Sequence, residues 1–188
     1  MATVREIIKK YENLFKDDKY DEFFQKCSQE EGRILLNYAY NKAGVDVLEL
    51  MTTIPSKMFQ GTNISSITIP STITSIGAQA FADSSVVTIY MEDSVVDMES
   101  GVFKNCSSLS KARLSRSLEK IPSEAFMNCT NLQKIYIPES VKTIGLNAFR
   151  GCEDILIVAD FRTNQSDKIR FMASEADFYK SHMKFKKR

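Results

Sequence analysis

The chain has 188 residues, 43% hydrophobic and 26% charged, with a formal net charge of +1. That balance suits one folded domain and leaves no global field to gather nucleic acid or a membrane surface. Four cysteines and one histidine, His182, give no support to a Cys/His metal site or to Cys–His or Ser–His–Asp catalysis, and no phosphate-cradling glycine loop occurs.

No catalytic residue, metal ligand, cofactor or enzymatic activity is therefore expected. Charges interrupt the first ten residues, Met1 to Lys10, so a secretory signal is not expected. No apolar run approaches the roughly 18 residues that a membrane span needs. A cytoplasmic protein is the expectation.

Residues 1–46 carry helical patterning. Thr3 and Glu6 make a capping box, and Val4, Ile7, Ile8, Tyr11, Leu14 and Phe15 follow on one face. A second short helix carries Phe23, Phe24 and Cys27. Ser28 with Glu31 opens a third through Leu35, Tyr38 and Ala39, with Gly44 as its stop. This segment reads as a three-helix cap, the alternative being a helical domain with a role of its own.

From residue 47 to 160 one frame recurs. Phe59, Phe81, Phe103, Phe126 and Phe149 are spaced by 22, 22, 23 and 23 residues. Twelve residues before each stands an apolar residue: Val47, Ile69, Met91, Leu114, Ile137. Eight before stand Met51, Ile73, Val95, Leu118 and Val141; five before stand Ile54, Ile76, Met98, Ile121 and Ile144. A polar turn follows each Phe, shorter by one residue in the first two copies, and then a short alternating strand. Pro70 and Pro138 should end their strands. Gly77 and Gly145 occupy matching corners, where a positive φ is expected. Cys106, Cys129 and Cys152 share one phase and read as reduced thiols facing the core. Sequons start at Asn63, Asn105, Asn128 and Asn164. They carry no meaning in a chain that is not exported.

Ile69-Pro-Ser-Thr-Ile-Thr-Ser-Ile-Gly-Ala-Gln-Ala-Phe81 and Ile137-Pro-Glu-Ser-Val-Lys-Thr-Ile-Gly-Leu-Asn-Ala-Phe149 resemble the BspA-type leucine-rich repeat family. The resemblance covers residues 47–160. It implies a β-solenoid that binds proteins or other surface ligands, often in secreted or cell-surface settings.

After the fifth repeat Asp160 falls where the other copies end their strand on an apolar residue. Ser166 reads as a helix N-cap, with Ile169, Met172, Ala173, Ala176, Tyr179 and Met183 behind it at helical spacing. Residues 161–188 hold eight Lys/Arg against three Asp/Glu and read as a capping helix with a basic tail. The expected fold is α+β: a right-handed leucine-rich-repeat β-solenoid of about five repeats, with helical N- and C-terminal caps.

Residues of equal phase should stack in columns about 4.8 Å apart. One outward column reads Ser66, Thr88, Lys111, Lys134, Ile157; the next reads Thr68, Tyr90, Arg113, Tyr136, Ala159. Tyr90, Lys111, Arg113, Lys134 and Tyr136 are the expected partner-binding residues. Tyr90, Arg113 and Tyr136 should form an aromatic–cation–aromatic stack. A solvated sheet face is the bland reading; a binding face rich in Tyr and Arg is the functional one. The leading function is a protein-interaction module: an inhibitor, an adaptor or a virion or particle component. The second is a nucleic-acid-associated protein, or inhibitor of a nucleic-acid enzyme, using the basic face and tail. The third is a surface adhesin. Nothing in the sequence sets an oligomeric state.

Overall fold

The computed structural model describes residues 4–10, 13, 30–32, 34, 48, 51–159 and 183–185. In chain order its elements are α1 (Val4–Lys10), β1 (Thr53–Ile54), β2 (Ser66–Ile69), β3 (Ser75–Ile76), β4 (Thr88–Met91), β5 (Asp97–Met98), β6 (Lys111–Arg113), β7 (Lys120–Ile121), β8 (Lys134–Ile137), β9 (Thr143–Ile144), β10 (Leu156–Ala159) and β11 (Met183–Phe185).

Three walls make a β-solenoid of about five turns. The longer strands form a six-stranded parallel sheet in the order β11-β10-β8-β6-β4-β2. Inward Ile67 and Ile69, Ile89 and Met91, and Ile135 and Ile137 are buried, while alternate residues face out. Pro70 and Pro138 stand directly behind β2 and β8, as expected.

The short strands form the second wall in two pieces, β1-β3-β5 and β7-β9. The gap has a simple cause. At one phase of the coil Gly77 N donates to Ile54 O (2.7 Å), Glu99 N to Ile76 O (2.9 Å) and Gly145 N to Ile121 O (2.8 Å). The residue at that phase on the intervening coil is Pro122, which has no N–H to give to Met98.

The third wall is the turn around each Phe. The rings of Phe59, Phe81, Phe103, Phe126 and Phe149 stack face to face, with successive centroids 4.9, 5.3, 5.3 and 5.4 Å apart. Backbone bonds run across this wall too: Phe59 N to Ala80 O, Phe81 N to Val102 O, Phe103 N to Ala125 O and Phe126 N to Ala148 O. Each turn enters the left-handed region two residues before and two after its Phe. The later position holds Gly61, Asp83, Asn105, Asn128 and Gly151, the residue types that tolerate it. Asn105 Nδ2 donates to Asp83 Oδ1 (2.8 Å) and Asn128 Nδ2 to Asn105 Oδ1 (2.9 Å), a side-chain ladder above the backbone one. It ends at Gly151, where a Cβ would meet Asn128 Oδ1 at 2.4 Å.

Three expectations need correction. Gly77 and Gly145 are absent from the positive-φ positions. They are glycines because a Cβ would lie 2.4 Å from Ser56 N and 2.3 Å from Ser123 N, on the coil before. The fifth strand is shifted by one residue: Lys134 pairs with Leu156, Tyr136 with Val158 and Ile137 with Ala159. The outward columns therefore end on Leu156 and Val158, not Ile157 and Ala159, and Ala159 rather than Asp160 closes the strand. Four residues separate Cys152 from Leu156 where five separate Cys129 from Lys134, so this turn is short, like the first two. Finally, Met183–Phe185 is a strand paired in parallel with Ile157–Ala159, not the end of a helix or a free tail. Apolar and basic residues alternate there, which suits the exposed edge of β10 as well as a helix face.

At the N-terminus α1 covers part of the sequence expected to be helical. Its Ile7 is buried in the same core cluster as Met51, Ile54 and Phe59, and Lys10 Nζ bonds Glu31 Oε1 at 2.8 Å. Residues 30–32 and 34, in the third expected helix, are helical; Thr3, the segment with Phe23, Phe24 and Cys27, the later residues Leu35, Tyr38 and Ala39, and the helix expected from Ser166 to Tyr179 lie outside the described residues.

Two substitutions test this packing. Phe103→Ala opens a cavity in the middle of the ring stack and should lower unfolding free energy by about 3–5 kcal/mol in a denaturant titration. Gly145→Ala should cost about 1–3 kcal/mol by overpacking although the φ of residue 145 is ordinary; an unchanged midpoint would contradict the close approach.

Candidate partner-binding face

The outward side of the long sheet is set by strand alternation. Once Ile89, Ala112 and Ile135 point inward, their neighbours must point out. The pairing register aligns Ser66, Thr88, Lys111, Lys134 and Leu156 in one row, and Thr68, Tyr90, Arg113, Tyr136 and Val158 in the next. Tyr90, Lys111, Arg113, Lys134 and Tyr136 thus come from three adjacent strands onto one surface. Tyr90 and Tyr136 keep 38% and 49% of their surface.

The contacts differ from the expected stack. Arg113 Cζ lies 4.3 Å from the Tyr90 ring centroid, while Tyr136 is covered by Lys134, whose Nζ is 4.7 Å from its centroid. These are two separate cation–π pairs. Lys134 leads Tyr136 by two residues on the same strand and face, so it reaches that ring along β8 and takes the place expected for Arg113.

Arg113 is also held from below. Its Nη1 donates to Met91 O at 3.3 Å and its Nη2 lies 3.7 Å from Asp93 Oδ1. Asp93 is gripped by Arg116: the Arg116 backbone N–H donates to Oδ1 (2.9 Å), Nε donates to Oδ2 (2.8 Å) and Nη2 stands 2.6 Å from Oδ2. The Arg116 hydrogen bonds hold the Asp93 carboxyl below the usual carboxylate range. Asp93 and Arg116 were not among the expected residues. Both stand ten residues before a Phe, so the column argument used for the strands would have found them in the turn.

The three cysteines of the repeats take no part in this face. Cys106, Cys129 and Cys152 are free and buried, and their Sγ atoms donate to Phe81 O, Phe103 O and Phe126 O at 3.0, 3.1 and 3.1 Å. Thr62 and Ser84 hold the same phase in the first two coils. Burial raises the pKa of all three thiols, Cys152 to about 11. Such thiols are poor nucleophiles at neutral pH.

Among the described residues no group of three or more His, Cys, Asp or Glu is placed to hold a metal ion, and no helix is long and apolar enough to cross a membrane.

The repeat also identifies the family. The model of the BspA type leucine rich repeat region matches residues 45–170, in six copies. The chain belongs to this family. Among solved structures, the leucine rich repeat protein of T. pallidum matches this BspA-type chain with a TM-score of 0.55 and 28% identity, over 59% of this chain and 52% of its own. A leucine-rich repeat protein from Bacteroides ovatus matches with a TM-score of 0.52 and 24% identity, over 60% and 29%; that likeness shows the fold alone. The chain spans about half the length of the first and under a third of the second. No curated protein matches it.

The thiol column makes the BspA-type coil sensitive to alkali. A buried thiol keeps its proton in the folded state above the pH at which the unfolded chain loses it. Its contribution is complete below about pH 8.5, the ordinary thiol value, and is lost as pH rises toward the folded value of about 11 at Cys152. Denaturant midpoints should fall across that window, and Cys152→Ala should flatten the fall. Native-state labelling of Cys106, Cys129 and Cys152 should be slow throughout neutral pH; rapid labelling would contradict the buried column.

Proposed function

We propose that this protein is a non-enzymatic binding scaffold that engages a protein partner through the outward face of its long sheet. One observation carries the reading. Tyr90, Lys111, Arg113, Lys134 and Tyr136 are brought into contiguous register from β4, β6 and β8, although the core needs only the residues between them. Tyrosine and arginine are typical hot-spot residues, and the cation–π pairs hold rings and charges in place before a partner arrives, which lowers the entropic cost of binding. Leucine-rich repeat scaffolds are in general binding modules, which agrees.

The same proposal takes the coil as right-handed, as strand–connection–parallel-strand units almost always are, and takes residues 1–46 and the segment after 160 as covers for its apolar ends. The burial of Ile7 in the core supports a cover at the N-terminus. We place the protein in the cytoplasm; cell fractionation separates this from display at a cell surface, which family membership equally allows.

The test is a pair of double variants in a pull-down from native cell extract, with bound proteins identified by mass spectrometry. Arg113→Glu with Tyr136→Ala should weaken the complex by roughly thirtyfold or more, with little change in melting temperature. Thr74→Glu with Lys142→Glu, on the short-strand wall, should leave it intact; the Lys142 side chain there makes an exposed pair with Glu119. Loss of the complex in the second variant and retention in the first would move the binding site off the face.

A further inference from the structure

The positive charges of this face are not equivalent. Arg113 is already engaged by the Tyr90 ring, Met91 O and Asp93. Among the described residues Lys111 and Lys134 make no ion pair, Lys134 lying over the Tyr136 ring without an acidic partner, and the two stand directly opposite each other on paired strands, Lys111↔Lys134 in the β6–β8 register. Like charges in directly opposed positions destabilise a sheet. Their neighbours in the row are Thr88 and Leu156, neither acidic. Asp93 is spent on Arg116 and Arg113, and Asp154, in the turn before β10, makes no ion pair with either lysine. The face therefore carries two adjacent cations that have no acidic counter-charge among the described residues, beside a preformed aromatic ledge.

Resting on the face reading above, we propose that Lys111 and Lys134 form a paired seat for carboxylates of an acidic protein segment, with Tyr90 and Tyr136 as the rigid flanks. A carboxylate between the two ammonium groups removes their repulsion and supplies the charge complement the sheet lacks. The occupant is a protein and not a single-stranded nucleic acid for a structural reason. Nucleic-acid platforms stack bases on open aromatic faces. Here a cation from the protein itself lies over a face of each tyrosine. Two uncompensated charges also give only a shallow phosphate-binding term.

The experiment uses the full chain and two labelled probes, an oligoglutamate peptide and an oligothymidylate strand, followed by fluorescence anisotropy. Wild type should bind oligoglutamate. Lys111→Ala with Lys134→Ala should weaken it roughly tenfold or more, Lys111→Arg with Lys134→Arg should retain it, and oligothymidylate should bind more weakly than oligoglutamate. Oligoglutamate should also raise the melting temperature of wild type and not of the double alanine variant, by linkage. Absent or lysine-independent binding of oligoglutamate overturns the proposal; if Arg113→Glu with Tyr136→Ala still abolishes the extract complex, the face reading survives that failure. Tighter, lysine-dependent binding of oligothymidylate also overturns it and makes nucleic acid the occupant.

Discussion

Parallel, in-register stacking of one coil on the next is the constraint from which the rest of this structure follows. Backbone N–H groups of each coil bond carbonyls of its neighbour in the long sheet, along the short strands and around the phenylalanine turns. With the coils locked about 4.8 Å apart, residues of equal phase have no choice but to meet. A side chain is acceptable only if it tolerates a near-copy of itself above and below.

Each column solves that problem differently. Phenylalanine rings stack face to face at close to the coil spacing. Buried Thr62, Ser84 and the three cysteines occupy a phase where a polar hydrogen must find a carbonyl, and those of Thr62 and the cysteines do. Asn105 and Asn128 sit in left-handed turns and bond along their own column. Gly145 lies against Ser123, the residue behind Pro122, because a side chain there would strike the coil before. Opposite charges such as Asp93 and Arg116 settle into a pair. Lys111 against Lys134 is a column with no counter-charge among the described residues. A feature that stacking leaves unsatisfied is where an interaction with something outside the chain has most to gain.

Much of this was legible in the linear sequence, and for a definite reason. A solenoid converts separation along the chain into height along the axis, so the 22- and 23-residue spacing of the phenylalanines is a direct record of tertiary contact. That is why the inward positions and the outward location of Tyr90, Lys111, Arg113, Lys134 and Tyr136 could be read without coordinates. Phase alone is insufficient in two places. The step from Lys134 to its partner Leu156 is 22 residues and not 23, and the short turn after Cys152 that causes this leaves no mark in the phenylalanine frame, which ends at Phe149. The corner glycines Gly77 and Gly145 are the second place, since sequence does not distinguish a left-handed backbone from a crowded one.

The sequence by itself determined the repeat, its register through four coils, the composition of the core and the residues that face outward, because each is a matter of periodicity and of which side chains leave water. Only the tertiary structure decided which neighbour each outward side chain would take. Lys134 reaches Tyr136 along its own strand, Arg113 turns to Tyr90 and Asp93, and Lys111 is left without a counter-charge among the described residues. It also decided that Met183–Phe185 would pair with β10 as a strand. Long flexible side chains and terminal segments have several partners within reach at similar energy. The choice among them rests on distances of an ångström or two, which periodicity does not encode.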